Sequence, residues 1–302
     1  MTGKVLILGG TGRFGRHAAE AFWNAGWSVR LFDRAQDDLT SAALGVDVIV
    51  NGWNPRYPDW ATEVPRLTEE VIAAAQWSGA TVLIPGNVYV YGEGSDATLG
   101  TETPRAAKNP LGRIRIEMEE AYRRAGVRTI VLRAGDFIDT EASGNWFDMV
   151  LTKHLARGCM TYPGDLDTPH AWAYLPDMAE AAVGLCAMRD DLPDFADIPY
   201  HGYTLTGRQL AKALSCALDR PVKAHRMSWL PLRLMAPVSP MMRALCEMRY
   251  LWDMPHALDP EPLADLLPRH RPTPLVAALA CAVGVDGPRA ANVAGGAVPD
   301  AA

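Results

Sequence analysis

Residues 9–15 of this 302-residue chain read Gly9-Gly10-Thr11-Gly12-Arg13-Phe14-Gly15, a spacing of side-chain-free positions suited to holding an anion. The run satisfies both GxxGxxG (Gly9, Gly12, Gly15) and GxGxxG (Gly10, Gly12, Gly15), directly after an apolar run and before a helical pattern. Glycines at these places allow a tight turn, a close approach of backbone to pyrophosphate and tight packing of helix on sheet, while helix N-terminal N–H groups face the anion. The pattern predicts a dinucleotide cradle, with Thr11, Arg13 and Phe14 filling it out. Asp33 stands eighteen positions after Gly15, where a carboxylate can bond adenosine ribose hydroxyls. Arg34 follows at once, and either it or Arg13 could pair with a 2'-phosphate. The cofactor expected is therefore NAD or NADP, with Asp33 tipping the balance toward NAD; the competing reading is that Asp33 caps a turn and both arginines are solvated.

Other chemistries lack an anchor. The seven histidines form no HExxH or comparable metal-ligand spacing, so no metal is expected. GxSxG and Walker-type motifs are missing, which leaves hydrolase and kinase readings without support. The net charge of −6 and the lack of a Lys/Arg cluster argue against nucleic acid as a partner. Five scattered cysteines, never CxxC, fit a reduced, cytoplasmic compartment. The opening apolar run is too short for a signal sequence, and Val276–Val285 is about half the length a bilayer requires, so neither export nor a membrane is expected.

The elements that must position the cradle follow a βαβ rhythm. Strands are predicted at Lys4–Leu8, Ser28–Phe32, Val46–Val50, Thr81–Pro85 and Val127–Leu132. Helices are predicted at Arg13–Ala25, Pro65–Ser78 and Gly112–Ala125, each ending beside a glycine (Gly26, Gly79, Gly126). The fold class is α/β: a doubly wound parallel sheet of Rossmann type over residues 1–165, with 170–190 returning to it through a helix starting near Pro176. Residues 191–285, rich in proline, Met, Trp and Leu, are expected to form a smaller, mostly helical substrate-binding cap, and 286–302 a disordered tail.

In chain order, the glycine run, Asp47-Val-Ile-Val-Asn51, Val90-Tyr91-Gly92, Leu132-Arg133-Ala-Gly-Asp136 and Trp172-Ala-Tyr174-Leu-Pro-Asp177 resemble the landmarks of the extended short-chain dehydrogenase/reductase family. The likeness is to its NAD-dependent epimerase/dehydratases acting on nucleotide sugars, and covers about Lys4 to Met188. It implies that Asn51 lies against the cofactor. It also implies that Asn87 occupies the place of the family's catalytic Ser/Thr, and that Leu111 and Arg115 occupy those of its Tyr and Lys. Leucine cannot transfer a proton, whereas Arg115 could keep the ribose contact and the positive field. Tyr89 and Tyr91, near the same strand end, are candidates for a displaced phenol; ordinary packing at a loop mouth is the alternative.

Where the resemblance implies an Arg that grips a substrate diphosphate stands His170, a poor clamp for two phosphates and a candidate acid/base; a packed or surface histidine is the alternative. Asp136 replaces the Asn expected after the fifth strand and could orient a hydroxylated substrate, act as base or cap a helix. Trp146 and Phe147 are either a pocket wall or core. The function implied is hydride transfer or epimerisation by an atypical NAD(P)-dependent enzyme acting on a sugar-like or polyol small molecule, extending to a nucleotide sugar. The alternative is a catalytically silent NAD(P)-binding sensor. Family members pair through the Tyr/Lys helix, which implies a homodimer through Pro65–Ser78 and Gly112–Ala125.

Overall fold

The computed structural model describes residues 3–285, so the expectation for 286–302 lies outside the described residues. The first half runs β1 (Lys4–Leu8), α1 (Arg13–Asn24), β2 (Ser28–Leu31), α2 (Leu39–Ala42), β3 (Val48–Asn51), α3 (Trp60–Ser78), β4 (Thr81–Asn87), α4 (Pro110–Arg124) and β5 (Thr129–Ala134). It continues with β6 (Asp136–Ile138), β7 (Cys159–Tyr162), β8 (His170–Tyr174), α5 (Leu175–Ala187) and β9 (Phe195–Pro199). Then come β10 (Tyr203–Leu205), α6 (Gly207–Ala217), β11 (Lys223–Arg226), α7 (Leu230–Met235), α8 (Pro240–Glu247), α9 (Tyr250–Asp253), α10 (Glu261–Leu266) and α11 (Leu275–Ala282).

The main sheet has the order β9-β5-β4-β3-β1-β2 with every pair parallel. Alternate residues of its strands face opposite layers. Leu6, Leu8, Ile49, Val82 and Ile84 pack with residues of α3 and α4, while Val5, Ile7, Val48, Val50 and Leu83 pack with α1 and α5. Burial on both faces is why these strands read as near-continuous apolar runs. The sheet is thus doubly wound, a Rossmann fold, as the βαβ rhythm predicts.

Two differences from the sequence reading exceed a residue or two. α3 begins at Trp60 rather than at Pro65, which lies inside the helix. Trp60 is buried and its indole N–H donates to Pro55 O at 2.9 Å, which draws the preceding turn into the core. Phe195–Pro199, assigned above to the cap, is the sixth strand of the sheet, running beside β5 from Phe195↔Thr129 to Pro199↔Arg133. An edge position tolerates the Pro that hides this strand from pattern reading. The C-terminal half has its own core, in which β7, β8, α6 and α11 meet Phe147, Trp229 and Trp252. Among the described residues no helix is long and apolar enough to cross a membrane.

Candidate active site

The order of the sheet reverses between β1 and β3, and ligands of open α/β sheets gather outside the strand ends at such a point. The glycine turn occupies that place. Gly9 has φ +72°, and its carbonyl accepts from Gly12 N–H at 2.8 Å. A Cβ on Gly15 would lie 2.1 Å from Gly9 O, whereas one on Gly10 would meet only the flexible end of Leu31 at 2.9 Å. The backbone therefore uses the GxxGxxG frame. Gly12 caps α1 without a side chain, leaving the first N–H groups of the helix directed at the crevice. Phe14 is buried beneath the turn and Thr11 is exposed.

The polar residues around the turn have distinct fates. Arg13 donates to the Ser143 carbonyl at 2.8 Å and to that of Gly144, fastening the 143–144 loop across the turn. Asp33 accepts from Ala35 N–H at 2.9 Å, so its carboxylate caps its own turn. Arg34 stacks over Trp53 at 4.3 Å and, with Asn54, Arg56 and Glu63, lines a cleft of ≈400 Å³. Asn51 donates to Tyr122 Oη at 3.1 Å and accepts from Trp53 N–H, which fixes the end of β3.

At the end of β4, Asn87 accepts from Tyr89 N–H at 3.0 Å and caps the turn that presents Tyr89. Tyr89 Oη lies 2.6 Å from Tyr57 Oη, from the turn before α3. Burial raises both phenols above the ordinary tyrosine range, and the charge of Asp136 raises them further. Arg115, on α4, is buried against the Trp60 face at 4.2 Å; one end of its guanidinium donates to Asn54 Oδ1 at 2.7 Å, while Nε has no partner among the described residues. Burial lowers its pKa. Leu111 packs in the core one turn earlier. Tyr91 points elsewhere: its hydroxyl donates to Gly100 O at 3.3 Å and burial pushes it up to about 12.

Asp136 and His170, thirty-four residues apart, meet at 2.7 Å between Oδ2 and Nε2. His170 is buried and stacks on Trp252 (4.3 Å, 7°), with His256 edge-on at 4.4 Å. Burial, then the neighbouring His170, pushes the His256 imidazole down to about 3. Trp146 leans on Trp229 and Trp252, and Phe147 on Trp172.

Tyr57, Arg56, Trp252 and His256 were not among the sequence candidates. Tyr57 and Arg56 sit in Asn54-Pro-Arg56-Tyr57, immediately past β3, and the reversal of strand order there was the available signal. For Trp252 and His256 no local signal existed.

The sequence matches no family model and no curated protein. Its fold is shared with solved structures. The UDP-glucuronic acid 4-epimerase from Bacillus cereus in complex with UDP-glucuronic acid and NAD superposes with TM-score 0.72 at 14% identity, covering 93% of this chain and 98% of that one. MoeE5 in complex with UDP-glucose and NAD gives 0.70 at 16%, covering 93% and 98%. The NAD-dependent NDP-hexosamine 5,6-dehydratase TunA gives 0.71 at 13%, covering 94% and 97%. At such identities the likeness is one of fold.

Proposed function

We propose that the chain is an NAD(P)-dependent oxidoreductase or epimerase of atypical extended short-chain type, acting on a sugar-like or polyol substrate. The observation that carries this reading is the packing of Gly15 on Gly9 where the strand order reverses, because any Cβ on Gly15 would force open the turn that forms the cradle. The ordered landmarks, and a fold shared with solved NAD complexes, support it.

Gly9, Gly12 and Gly15 would hold the pyrophosphate, Arg34 and Arg56 the adenosine end, and Arg115, held in place by Asn54, the nicotinamide ribose. When bound, the cofactor supplies a hydride donor or acceptor. The chain's own residues handle the proton. Tyr57 and Tyr89 share one hydrogen bond and burial keeps both protonated at rest, so Tyr89 Oη passes its proton to a carbonyl oxygen, takes one from Tyr57, and Tyr57, which is partly exposed, regains its own from solvent. Arg115 beside them stabilises the negative charge left on oxygen. Asp136 orients a substrate hydroxyl.

Titration with NADH and NADPH, followed by energy transfer from tryptophan to nicotinamide, tests cofactor binding; a panel of alcohols, sugars and nucleotide sugars tests turnover. Absence of binding at millimolar cofactor refutes the reading. Binding without turnover of any substrate replaces the enzyme with the sensor. A dimer through α3 and α4 fits the 69% exposure of Trp77 on α3, and a monomeric mass by light scattering would remove it.

A further inference from the structure

α7 reads Leu-Pro-Leu-Arg-Leu-Met, with Arg233 its only polar residue, a composition that suits a helix covered on all sides. Only one side is covered. Trp229, at its start, is buried and its indole N–H donates to Pro163 O at 2.6 Å, and Leu232 packs on the core of the C-terminal half. The other side faces outward: Leu230 is 61% exposed, Leu234 70%, Met235 52% and, in the turn that follows, Val238 76%. Hydrogen bonds from Val238 N–H and Ser239 N–H to Met235 O, at 3.1 and 2.9 Å, carry the helical path on past the end of α7. Leu230, Leu234 and Val238 therefore follow one stripe at i, i+4 and i+8. Single exposed apolar side chains are ordinary, but a stripe of them, joined by exposed Pro231 and Pro237, is a patch that asks for a partner.

The charge around the patch indicates which partner. Between Arg220 and Arg249 the chain carries six Lys or Arg and one Asp or Glu, whereas the whole chain has 29 against 35. This segment is thus basic within an acidic protein. Arg233 is exposed between Leu230 and Leu234. Arg243, on α8, is also exposed, and its guanidinium donates to Pro237 O at 3.4 Å, which seats it beside Val238. Lys223 and Arg226 are exposed on β11, the strand that leads into α7; Arg226 is shared with Asp165 and Asp253 at 3.4 and 3.9 Å. A second copy docked symmetrically through this face would set two basic surfaces against each other. An apolar ridge with guanidinium groups at its sides instead matches the boundary between acyl chains and anionic headgroups.

We infer that the corner formed by α7 and α8 is a peripheral docking surface for an anionic lipid bilayer. Leu230, Leu234, Met235 and Val238 enter the acyl boundary, and Arg233 and Arg243 meet the acidic headgroups. No described helix could span a bilayer, and lying on its surface requires none that does. The inference goes beyond the oxidoreductase reading and does not rest on it. α8 also packs against the turn that carries Tyr57, so docking would bring the candidate site to the membrane face.

The test is flotation of the full chain with vesicles of phosphatidylcholine alone and of phosphatidylcholine and phosphatidylglycerol in equal parts, at low and high salt. Wild type is compared with the double variants Leu234→Gln/Val238→Gln and Arg233→Gln/Arg243→Gln; all four positions are exposed, so both variants should melt with wild type. Wild type should float with the anionic vesicles, and partition should fall roughly tenfold or more in phosphatidylcholine alone or in high salt. Each double variant should weaken partition to the anionic vesicles by roughly tenfold or more, the worth of two apolar or two basic side chains at such a boundary. Absence of flotation with the anionic vesicles overturns the proposal, as do equal flotation with both kinds of vesicle and a double variant that floats like wild type. It also falls if light scattering finds wild type dimeric and Leu234→Gln/Val238→Gln monomeric, because a second copy then covers the patch.

Discussion

Gly12→Ala and Gly15→Ala should separate binding from stability. At Gly15 the added Cβ meets the carbonyl of Gly9, O at 2.1 Å and C at 2.8 Å, both backbone. Ordinary C···O contacts are about 3.3 Å or more, so the turn must open by roughly 1 Å. Overpacking of this kind costs about 3 kcal/mol, offset by about 1 kcal/mol from the better helix propensity of Ala. The net loss of about 2 kcal/mol corresponds to a fall in Tm of roughly 4–8 °C. At Gly12, φ is −80°, which any residue adopts, and the Cβ would meet only Gly9 O at 3.0 Å. Loss of a favoured N-cap then costs about 0.5–1 kcal/mol. In the proposed cradle that Cβ would keep the pyrophosphate from the helix N–H groups, and loss of one charge-assisted hydrogen bond weakens NADH binding by roughly 10- to 100-fold. Circular-dichroism melts and NADH titration by energy transfer measure the two effects. If Gly12→Ala binds NADH within threefold of wild type, or if Gly15→Ala melts with wild type, the cradle has been assigned wrongly.

Tyr89→Phe should lower turnover about 10²- to 10⁴-fold with NADH affinity nearly unchanged; full activity would place the proton donor elsewhere. His256→Gln should flatten the pH dependence of stability in urea between pH 6.5 and 5. The folded imidazole stays neutral until about 3, so acid charges only the unfolded form and wild type loses up to about 1.4 kcal/mol per pH unit from this group; an unchanged slope refutes the assignment. Arg133→Met should cost about 3 kcal/mol by guanidinium denaturation, because Arg133 is fully buried between Glu119 at 2.9 Å and Asp197 at 2.8 Å, and the two buried carboxylates would be left to share Arg105 alone. Burial raises the Asp197 carboxyl, but Arg133 and Arg105 outweigh it and hold it below its usual range. Its stabilisation is complete above about 3.9, the unfolded value, and disappears as acid protonates it. Asp197→Asn should therefore shrink the loss of stability below pH 4.

What was legible in the residues was local. The glycine run announces its turn because backbone conformation at three nearby positions decides it, and β1, α1 and α4 fall within a residue or two of their predicted ends because hydrophobic period and caps act within a few residues. Even there, only packing chose Gly9 over Gly10, since the deciding contact is Gly15 against the Gly9 carbonyl. Asp33 and Arg34 were visible as polar residues after β2, and the bond from Ala35 to Asp33, two residues apart, is local; the stack of Arg34 on Trp53 depends on the loops after β2 and β3 meeting past the end of β1. The pairs Tyr57–Tyr89 and Asp136–His170, thirty-two and thirty-four residues apart, exist because strands adjacent in space bring together loops distant in sequence. Trp252, on α9, and His256, in the loop that follows it, reach His170 from the last quarter of the chain, and no spacing announces it. Hydrogen bonding within a few residues selects the elements of this protein, and burial, which any apolar partner can satisfy, leaves their partners to the tertiary structure.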